Sequence, residues 1–319
     1  MGVLKIVMEA GLIVVVALSA GIYYFQGSLV YPSNMPPGAR THVEIPPQYD
    51  MPIFEDLKLK TADGETIRAY VVIHQETANG ASNYLHNVTD ATKKKTVLVC
   101  CPNAGNIGHA LPLVQYIYQE LGYNVVIFQY RGYGLSTGIA NEKGIKLDAE
   151  CILEYIKNHP VLSQTSIIVY GRSLGGAVAL YLCSLPGASD LLGGCIVENT
   201  FRSIPKLLPY VFPILGPFKF FCREIWDSEA LMPLIPSNIP MLFLNGGRDE
   251  IVDPKHMETL YALSTATVKE WKRWPKGTHN DTILMKGYWK LFKKFIQSSV
   301  EPIEPLVGFT NYTSFSDSE

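Results

Sequence analysis

The stretch SIIVYGRSLGGAVALYL, residues 166–182, decides the fold. It sets the pattern Gly-x-Ser-x-Gly, with Ser173 at its centre, between an apolar run typical of a buried strand and a small-residue run typical of a helix. A serine on such a sharp turn has strained backbone dihedrals, and Gly171 and Gly175 leave room for the turn. The stretch therefore predicts a nucleophilic serine at the carboxyl end of a strand. The alternative is a serine that only caps a helix in a glycine-rich turn.

Strand-like and helix-like runs alternate along the rest of the chain. The strand-like runs are TVLVCC, NVVIFQY, SIIVYG, GCIVEN, MLFLNG and KEWKRW. The helical patterns cover residues 111–121, 142–158, 174–184, 255–263 and 282–297. This alternation predicts an α/β fold with a mostly parallel central sheet that helices cover on both faces. Two earlier strand-like runs flank Asp63-Gly64 and predict an antiparallel hairpin at the start of the sheet.

Composition narrows the class of protein. The chain has 319 residues, of which 47% are hydrophobic and 18% charged, which suits one large α/β domain with appendages or two small domains. The net charge of −2 gives no general case for nucleic-acid binding, so we expect none. The six cysteines have no zinc-like spacing, and the loop after TVLVCC lacks the dinucleotide fingerprint. We therefore expect no metal and no cofactor.

The first thirty residues predict a membrane anchor. Residues 10–39 carry no charge, and the run AGLIVVVALSAGIYYF approaches the roughly 20 apolar residues that a spanning helix needs. Tyr23, Tyr24 and Tyr31 suit an aromatic belt at the membrane interface. Lys5 and the amino terminus favour the cytosol for the N-terminal side, which puts the main domain in a lumen or outside the cell. A cleaved signal peptide is the alternative, because ALSAG offers small residues to a peptidase.

Two histidines follow Ser173 in the chain and are candidates for its general base. His279 lies in WPKGTHNDT, a loop after the last strand, from which a base can reach across the sheet edge. His256 falls in a predicted helix, where a histidine on the surface is the ordinary interpretation. The sequence therefore favours His279.

The acid that orients this histidine has more than one candidate. Asp249 follows the strand MLFLNG in a glycine-rich loop, which suits a carboxylate that hydrogen-bonds histidine Nδ1. Glu198, at the end of the preceding strand, is the alternative. Asp253 precedes a proline and predicts a helix N-cap, while Asp281 is expected to cap the last helix. We therefore favour Asp249.

The loop CCPNAGNIGH, residues 100–109, is expected to supply half of an oxyanion hole. The other half is the backbone N–H of Leu174, directly after the nucleophile. Pro102 has no N–H to donate, so Asn103 is the predicted second donor and Ala104 the alternative. The two cysteines of this loop are expected to pack in the strand end.

Six motifs, taken in order, resemble the fungal bud-emergence suppressor family of α/β-hydrolases and are similar to the animal α/β-hydrolase-domain protein thirteen. They are NAGNIGH, YRGYGLS, YGRSLGGAVALYL, VENTFRSI, GGRDEIVDP and GTHNDT. The resemblance runs over residues 26–296 and implies the α/β-hydrolase fold in a single-pass protein of an internal membrane, such as the endoplasmic reticulum. It also implies a Ser-Asp-His triad, which falls on Ser173, Asp249 and His279. Many members have a histidine and a small residue before NAGN, where this chain has Cys-Pro.

The chain divides into segments on this basis. We expect a signal-anchor over residues 1–31, a proline-rich spacer over 32–52, an α/β-hydrolase domain over 53–297 and a flexible tail over 298–319. Inside the domain, residues of about 200–239 are rich in large apolar side chains and proline, which predicts an apolar lid over the serine. The alternative is ordinary core helices interrupted by proline.

The expected chemistry is attack by Ser173 on an ester or thioester carbonyl of an apolar acyl or lipid substrate, with water hydrolysing the acyl-enzyme. The alternatives are a non-catalytic membrane scaffold on a hydrolase fold and a peptidase. If the domain is lumenal, the sequons at Asn87 and Asn311 are candidate glycosylation sites. The sequon at Asn280 adjoins His279 and is expected to stay unoccupied, because a glycan there would obstruct the site.

Overall fold

An eight-stranded sheet forms the centre of the fold in the computed structural model, which describes residues 2–74 and 91–300. Its strands are β1 (Glu55–Lys60), β2 (Thr66–Val72), β3 (Thr96–Cys100), β4 (Asn124–Gln129), β5 (Ile167–Arg172), β6 (Leu192–Glu198), β7 (Met241–Gly246) and β8 (Lys269–Trp274). They lie in the order β1-β2-β4-β3-β5-β6-β7-β8. β1 and β2 form the predicted antiparallel hairpin, β2 is also antiparallel to β4, and the other pairs are parallel. The predicted α/β fold with a mostly parallel sheet is confirmed.

Helices precede, connect and follow these strands. Those that the structure describes in full are α1 (Gly2–Val30), α2 (Leu111–Gln115), α3 (Glu142–Asn158), α4 (Leu174–Cys183), α5 (Ile204–Val211), α6 (Ser228–Leu231), α7 (Lys255–Leu263) and α8 (Tyr288–Ser299). α2 continues as a π-helical turn over Tyr116–Glu120.

Burial explains why the central strands are almost continuously apolar. Every residue of β3, β4 and β7 is buried, and successive side chains in a strand point to opposite faces. Both faces of the sheet centre are therefore covered, as parallel strands with helical crossovers require. β1, at one edge, alternates half-buried and exposed residues, which is typical of a strand with one face in water.

The parallel strands place the predicted site residues at one edge of the sheet. Asn103 follows β3, Ser173 follows β5, Asp249 follows β7 and His279 follows β8. Because the carboxyl ends of parallel strands meet at the same edge, the fold gathers side chains that are far apart in the sequence.

Capping residues explain where two helices begin. The Asn141 side chain accepts the Gly144 N–H at 2.8 Å and caps α3, which spans the residues that the sequence predicts. The last helix was predicted from residue 282 but begins later. Thr282–Leu284 form a 3₁₀ turn, and Gly287 with a φ of 86° breaks the path before α8. Glycine tolerates that left-handed conformation at little cost, so the helix restarts after it.

α1 is long and apolar enough to cross a membrane. Its 29 residues correspond to about 44 Å at the helical rise, against a hydrocarbon core of about 30 Å. Within it only Ile22 and Gln26 are buried. The last turns of α1 therefore pack against the domain, while the earlier turns do not.

The segment over residues 32–52 lies against the loop that follows β3. The Gly105 N–H donates to the Met35 carbonyl at 2.7 Å. The Asn106 side chain donates to two more carbonyls of the segment, at 2.9 and 2.8 Å. The expected spacer thus contacts the loop that carries a predicted oxyanion donor.

Candidate active site

Ser173 sits on a sharp turn between β5 and α4. Its backbone has φ 55° and ψ −121°, a conformation that L-residues rarely adopt. A Cβ on Gly171 would lie 2.0 Å from the Gly175 carbonyl oxygen, and a Cβ on Gly175 would lie 2.1 Å from that of Cys100. Both positions therefore require glycine, which explains the two glycines of the sequence pattern. The serine itself is only 7% exposed.

His279 is held by Asp249. The Nδ1 atom of His279 lies 2.8 Å from Oδ2 and 3.0 Å from Oδ1 of Asp249. The same Oδ1 accepts the N–H groups of Ile251 and Val252 at 2.9 and 2.7 Å, which fixes the carboxylate. With Nδ1 facing a carboxylate, Nε2 is the ring nitrogen left to accept a proton. His279 and Ser173 line the same cavity.

Backbone N–H groups without acceptors lie beside the serine. Within the described part of the chain, the N–H groups of Asn103, Ala104 and Leu174 donate to no protein acceptor. The Tyr133 hydroxyl donates to the Asn103 carbonyl at 2.8 Å, and the Asn103 side chain donates to the Val30 carbonyl at 3.3 Å. The loop is therefore fixed on both sides, and its free donors belong to residues that line the cavity.

A cavity of about 340 Å³ opens above Ser173 and His279. Its walls are mostly apolar, and much of the apolar lining comes from α1 and from the region around α5, which are far apart in the sequence. Ile22 and Leu29 contribute from the end of α1, and Leu207 contributes from α5. A cavity of this size and character suits a small apolar ligand with a few polar contacts.

Glu198, the alternative acid, is engaged elsewhere. Its Oε2 atom accepts the hydroxyls of Tyr170 and Tyr288 at 2.6 and 2.7 Å. Its Oε1 atom is buried and has no hydrogen-bond partner among the residues that the structure describes, and complete burial raises the pKa of the carboxyl. The carboxylate that hydrogen-bonds His279 is therefore that of Asp249.

Two expectations for neighbouring residues are wrong. Asp281 does not cap α8, since its Oδ1 atom accepts the Thr278 N–H at 2.6 Å within the histidine loop. His256 is not on the surface, because it is 7% exposed and its Nδ1 atom accepts the Arg202 N–H at 3.0 Å. Burial lowers the pKa of this imidazole, so it suits a neutral structural role.

Gln26 is a site residue that sequence reasoning missed. Its side-chain oxygen accepts the N–H groups of Arg223 and Glu224 at 2.6 and 3.0 Å, and its amide donates to the Phe221 carbonyl at 3.4 Å. Gln26 also lines the cavity. The available signal was a single polar amide in a run of apolar residues, because such a group needs a hydrogen-bond partner when it is buried.

Not every predicted site residue falls within the described residues. Asn87 and Asn311 lie outside them. Asn280, whose sequon was expected to stay unoccupied, lines the cavity beside His279.

Comparisons with known proteins agree with the fold. No family model matches the chain. An uncharacterized membrane protein of Saccharomyces cerevisiae is 42% identical over 287 residues, which cover 90% of this chain and 94% of that protein. Protein bem46 of Schizosaccharomyces pombe is 39% identical over 295 residues, which cover 92% of this chain and 93% of that protein. The solved structure of a Pyrococcus furiosus esterase matches with a TM-score of 0.62 at 17% identity over 82% of this chain and 96% of that one.

Proposed function

The chain belongs to the bem46 family of α/β-hydrolases, and from that premise we propose that it is a membrane-anchored serine hydrolase. Its proposed substrate is an ester or thioester of an apolar acyl group, cleaved through an acyl-enzyme on Ser173. One observation carries the proposal. A single apolar cavity is lined by Ser173 on its strained turn and by His279 paired with Asp249.

The proposed reaction has two halves. Oγ of Ser173 attacks the carbonyl carbon while Nε2 of His279 takes its proton, and the N–H groups of Leu174 and Asn103 stabilise the oxyanion, with Ala104 as the alternative donor. His279 then gives the proton to the leaving alcohol or thiol as the C–O or C–S bond breaks. Water attacks the acyl-enzyme, gives a proton to His279 and releases the acid. The proton returns to Ser173.

Asp249 has a supporting role in this reaction. Its carboxylate accepts a hydrogen bond from Nδ1–H of His279, which leaves Nε2 as the acceptor for the serine proton and stabilises the imidazolium that forms. The Ile251 and Val252 N–H groups hold the carboxylate in place without neutralising it. The Asp249 side chain is 0% exposed and the His279 side chain 6% exposed, so water competes little for this hydrogen bond.

The apolar character of the substrate follows from the cavity walls. We propose that residues of about 200–239 form a lid, because Leu207, Val211 and Leu215 line the cavity. A volume of about 340 Å³ accommodates part of an acyl chain rather than a folded peptide loop.

The proposed location is an internal membrane such as the endoplasmic reticulum, with α1 as an uncleaved signal-anchor and the catalytic domain in the lumen. Lys5 near the amino terminus supports this orientation. The name of the Saccharomyces cerevisiae relative, a membrane protein, supports the anchor.

Fluorophosphonate labelling of the full-length protein in membranes tests the proposal. We expect wild type to be labelled and Ser173→Ala to be unlabelled, with turnover reduced by about 10⁴-fold or more. Ser184→Ala is the matched control, because Ser184 lies at the far end of the same helix and its hydroxyl donates only to the Tyr181 carbonyl. This control should label like wild type.

Three outcomes would contradict the proposal in different ways. A folded wild type that takes no label would favour the non-catalytic scaffold. Labelling that survives Ser173→Ala would refute the nucleophile. Faster cleavage of peptides than of acyl esters in a substrate panel would favour the peptidase. Lipid and acyl-protein profiles of cells that carry wild type or Ser173→Ala would then identify the substrate.

A further inference from the structure

The segment after α5 is apolar on two sides. It forms a 3₁₀ helix over Pro213–Phe221, and Leu215 within it lines the cavity. Ile214 and Phe220 do not line the cavity and are 81% and 83% exposed. Side chains of this size rarely stay exposed together without a partner surface. We therefore expect the outer face of this segment to contact an apolar partner.

Gln26 fixes the segment beside α1. Its side-chain amide donates to the Phe221 carbonyl, and its side-chain oxygen accepts the backbone N–H groups of Arg223 and Glu224. On the same part of α1, Tyr24 and Phe25 are 75% and 68% exposed. The segment is thus held beside a turn of α1 that also exposes large aromatic side chains.

The charge pattern of α1 sets the depth of this surface. Lys5 and Glu9 form an exposed ion pair near the start of the helix, and no charged residue follows within it. A spanning helix needs about 20 apolar residues, so with Glu9 at one boundary the other boundary falls near Leu29. Gln26 lies within one turn of that boundary. When α1 spans a bilayer between these boundaries, the segment that Gln26 holds falls at the level of the lipid headgroups and upper acyl chains.

Basic side chains border the exposed apolar surface. Lys219 and Arg223 are exposed, and the Arg223 guanidinium lies 4.8 Å from the centre of the Tyr23 ring. Basic and aromatic side chains together suit the interface, where phosphate groups meet acyl chains. The partner that fits this surface is a phospholipid bilayer.

We propose that Pro213–Phe221 is a second membrane-contacting element, which inserts Ile214 and Phe220 into the leaflet that the carboxyl end of α1 reaches. If the proposed function holds, this contact brings the mouth of the cavity to the membrane, and the acyl substrate is taken from the bilayer. The membrane contact itself requires no catalysis and is tested separately.

The test uses the full-length protein in phosphatidylcholine vesicles, with and without bromine on the lipid acyl chains. Bromine quenches tryptophan that touches the acyl chains, so Phe220→Trp and Ile214→Trp report on contact after the wild-type emission is subtracted. Val268→Trp is the matched control. Val268 is 41% exposed and directly precedes β8, so it lies at the amino ends of the parallel strands, opposite the site at their carboxyl ends.

We expect the emission added at positions 214 and 220 to lose most of its intensity in brominated vesicles, and that added at position 268 to be unchanged. Unquenched emission at both lid positions, in variants that melt like wild type, would overturn the proposal. If one variant does not fold, the other decides. Fluorophosphonate labelling of wild type separates the two proposals, because quenching at positions 214 and 220 without labelling leaves the membrane contact standing and removes the hydrolase.

Discussion

Two hydrogen bonds hold Ser173 in a backbone conformation that costs on the order of 1–3 kcal/mol. Its N–H donates to the Glu198 carbonyl at 3.0 Å, and its carbonyl accepts the Thr200 hydroxyl at 2.8 Å. Both partners belong to the end of β6 and the residues after it. The position of the Ser173 hydroxyl in the cavity therefore depends on the neighbouring strand β6 and the residues after it.

The Asp249–His279 pair gives a prediction at the scale of one atom. Asp249→Asn keeps an oxygen for the two loop N–H groups but turns an amide NH₂ toward Nδ1, which favours the wrong tautomer of His279. We expect the rate of fluorophosphonate labelling to fall by about 10⁴-fold at neutral pH with the fold intact. Asp253→Asn is the control, since the Asp253 side chain accepts the Lys255 N–H at the start of α7 and an asparagine oxygen can do the same. Equal losses in both variants would contradict the role of Asp249.

The buried carboxyl of Glu198 predicts an unusual dependence of stability on pH. Burial raises its pKa in the folded protein above the ordinary value of 4.5, so its contribution to stability is lost as pH rises through the folded pKa. Glu198→Gln removes this titration. We therefore expect the melting temperature of the variant, measured relative to wild type, to increase from pH 5 to pH 8.

Glu229 is the matched control with the opposite sign. Hydrogen bonds from Arg202, with Lys206 adding to them, lower its pKa to about 2. Its contribution is fully present above the unfolded pKa and is lost as the pH falls toward the folded pKa, so Glu229→Gln should be less stable than wild type by a constant amount between pH 5 and pH 8, and the difference should shrink as the pH falls from about 4.5 toward 2. The same trend in both variants would refute the assignment for Glu198.

At the scale of elements, α4 packs unusually close to the sheet. A Cβ on Gly175 would meet backbone of β3, and a Cβ on Gly176 would lie 2.5 Å from the Thr200 Cβ. These glycines let the helix that follows the nucleophile press against the strands on either side. The free N–H of Leu174 thereby comes to the same cavity as the loop after β3.

Gly175→Ala tests this close approach. The new methyl would lie 2.1 Å from the Cys100 carbonyl oxygen, which cannot move without shifting β3. We expect the free energy of unfolding to fall by about 1–3 kcal/mol or more, measured by denaturant titration in detergent. Gly21→Ala, where nothing lies within 4 Å of the new methyl, should not lower it, since alanine favours a helix interior over glycine. A Gly175→Ala protein as stable as wild type would contradict the packing argument.

Local signals account for what the sequence predicted. The period of α3, its Asn141 cap and the glycines around Ser173 are all carried by neighbours in the chain, so they could be read without a structure. The bond from Gln26 to Arg223 joins residues 197 apart, and no local pattern encodes it. The burial of His256 and the cavity wall on α1 were missed for the same reason.

At the scale of the whole molecule, orientation in the membrane is open to a direct test. With the catalytic domain in the lumen, Asn87→Gln and Asn311→Gln should each remove part of a glycosidase-sensitive mobility shift of the full-length protein. Asn280→Gln should change nothing, because Asn280 lines the cavity and a glycan there would fill it. Wild type with no shift at all would refute the lumenal orientation.

The side chain of Gln26 has a practical consequence for anyone who purifies this protein. Cutting away the first thirty residues is a common route to a water-soluble hydrolase, but here it would remove Ile22, Leu29 and Val30 from the cavity and strip two backbone N–H groups of their acceptor. Detergent tails would then occupy the opening left in the cavity wall. The chain-length preference measured on such a trimmed enzyme would describe the hole left by trimming, whereas the intact protein in a lipid nanodisc would report its own.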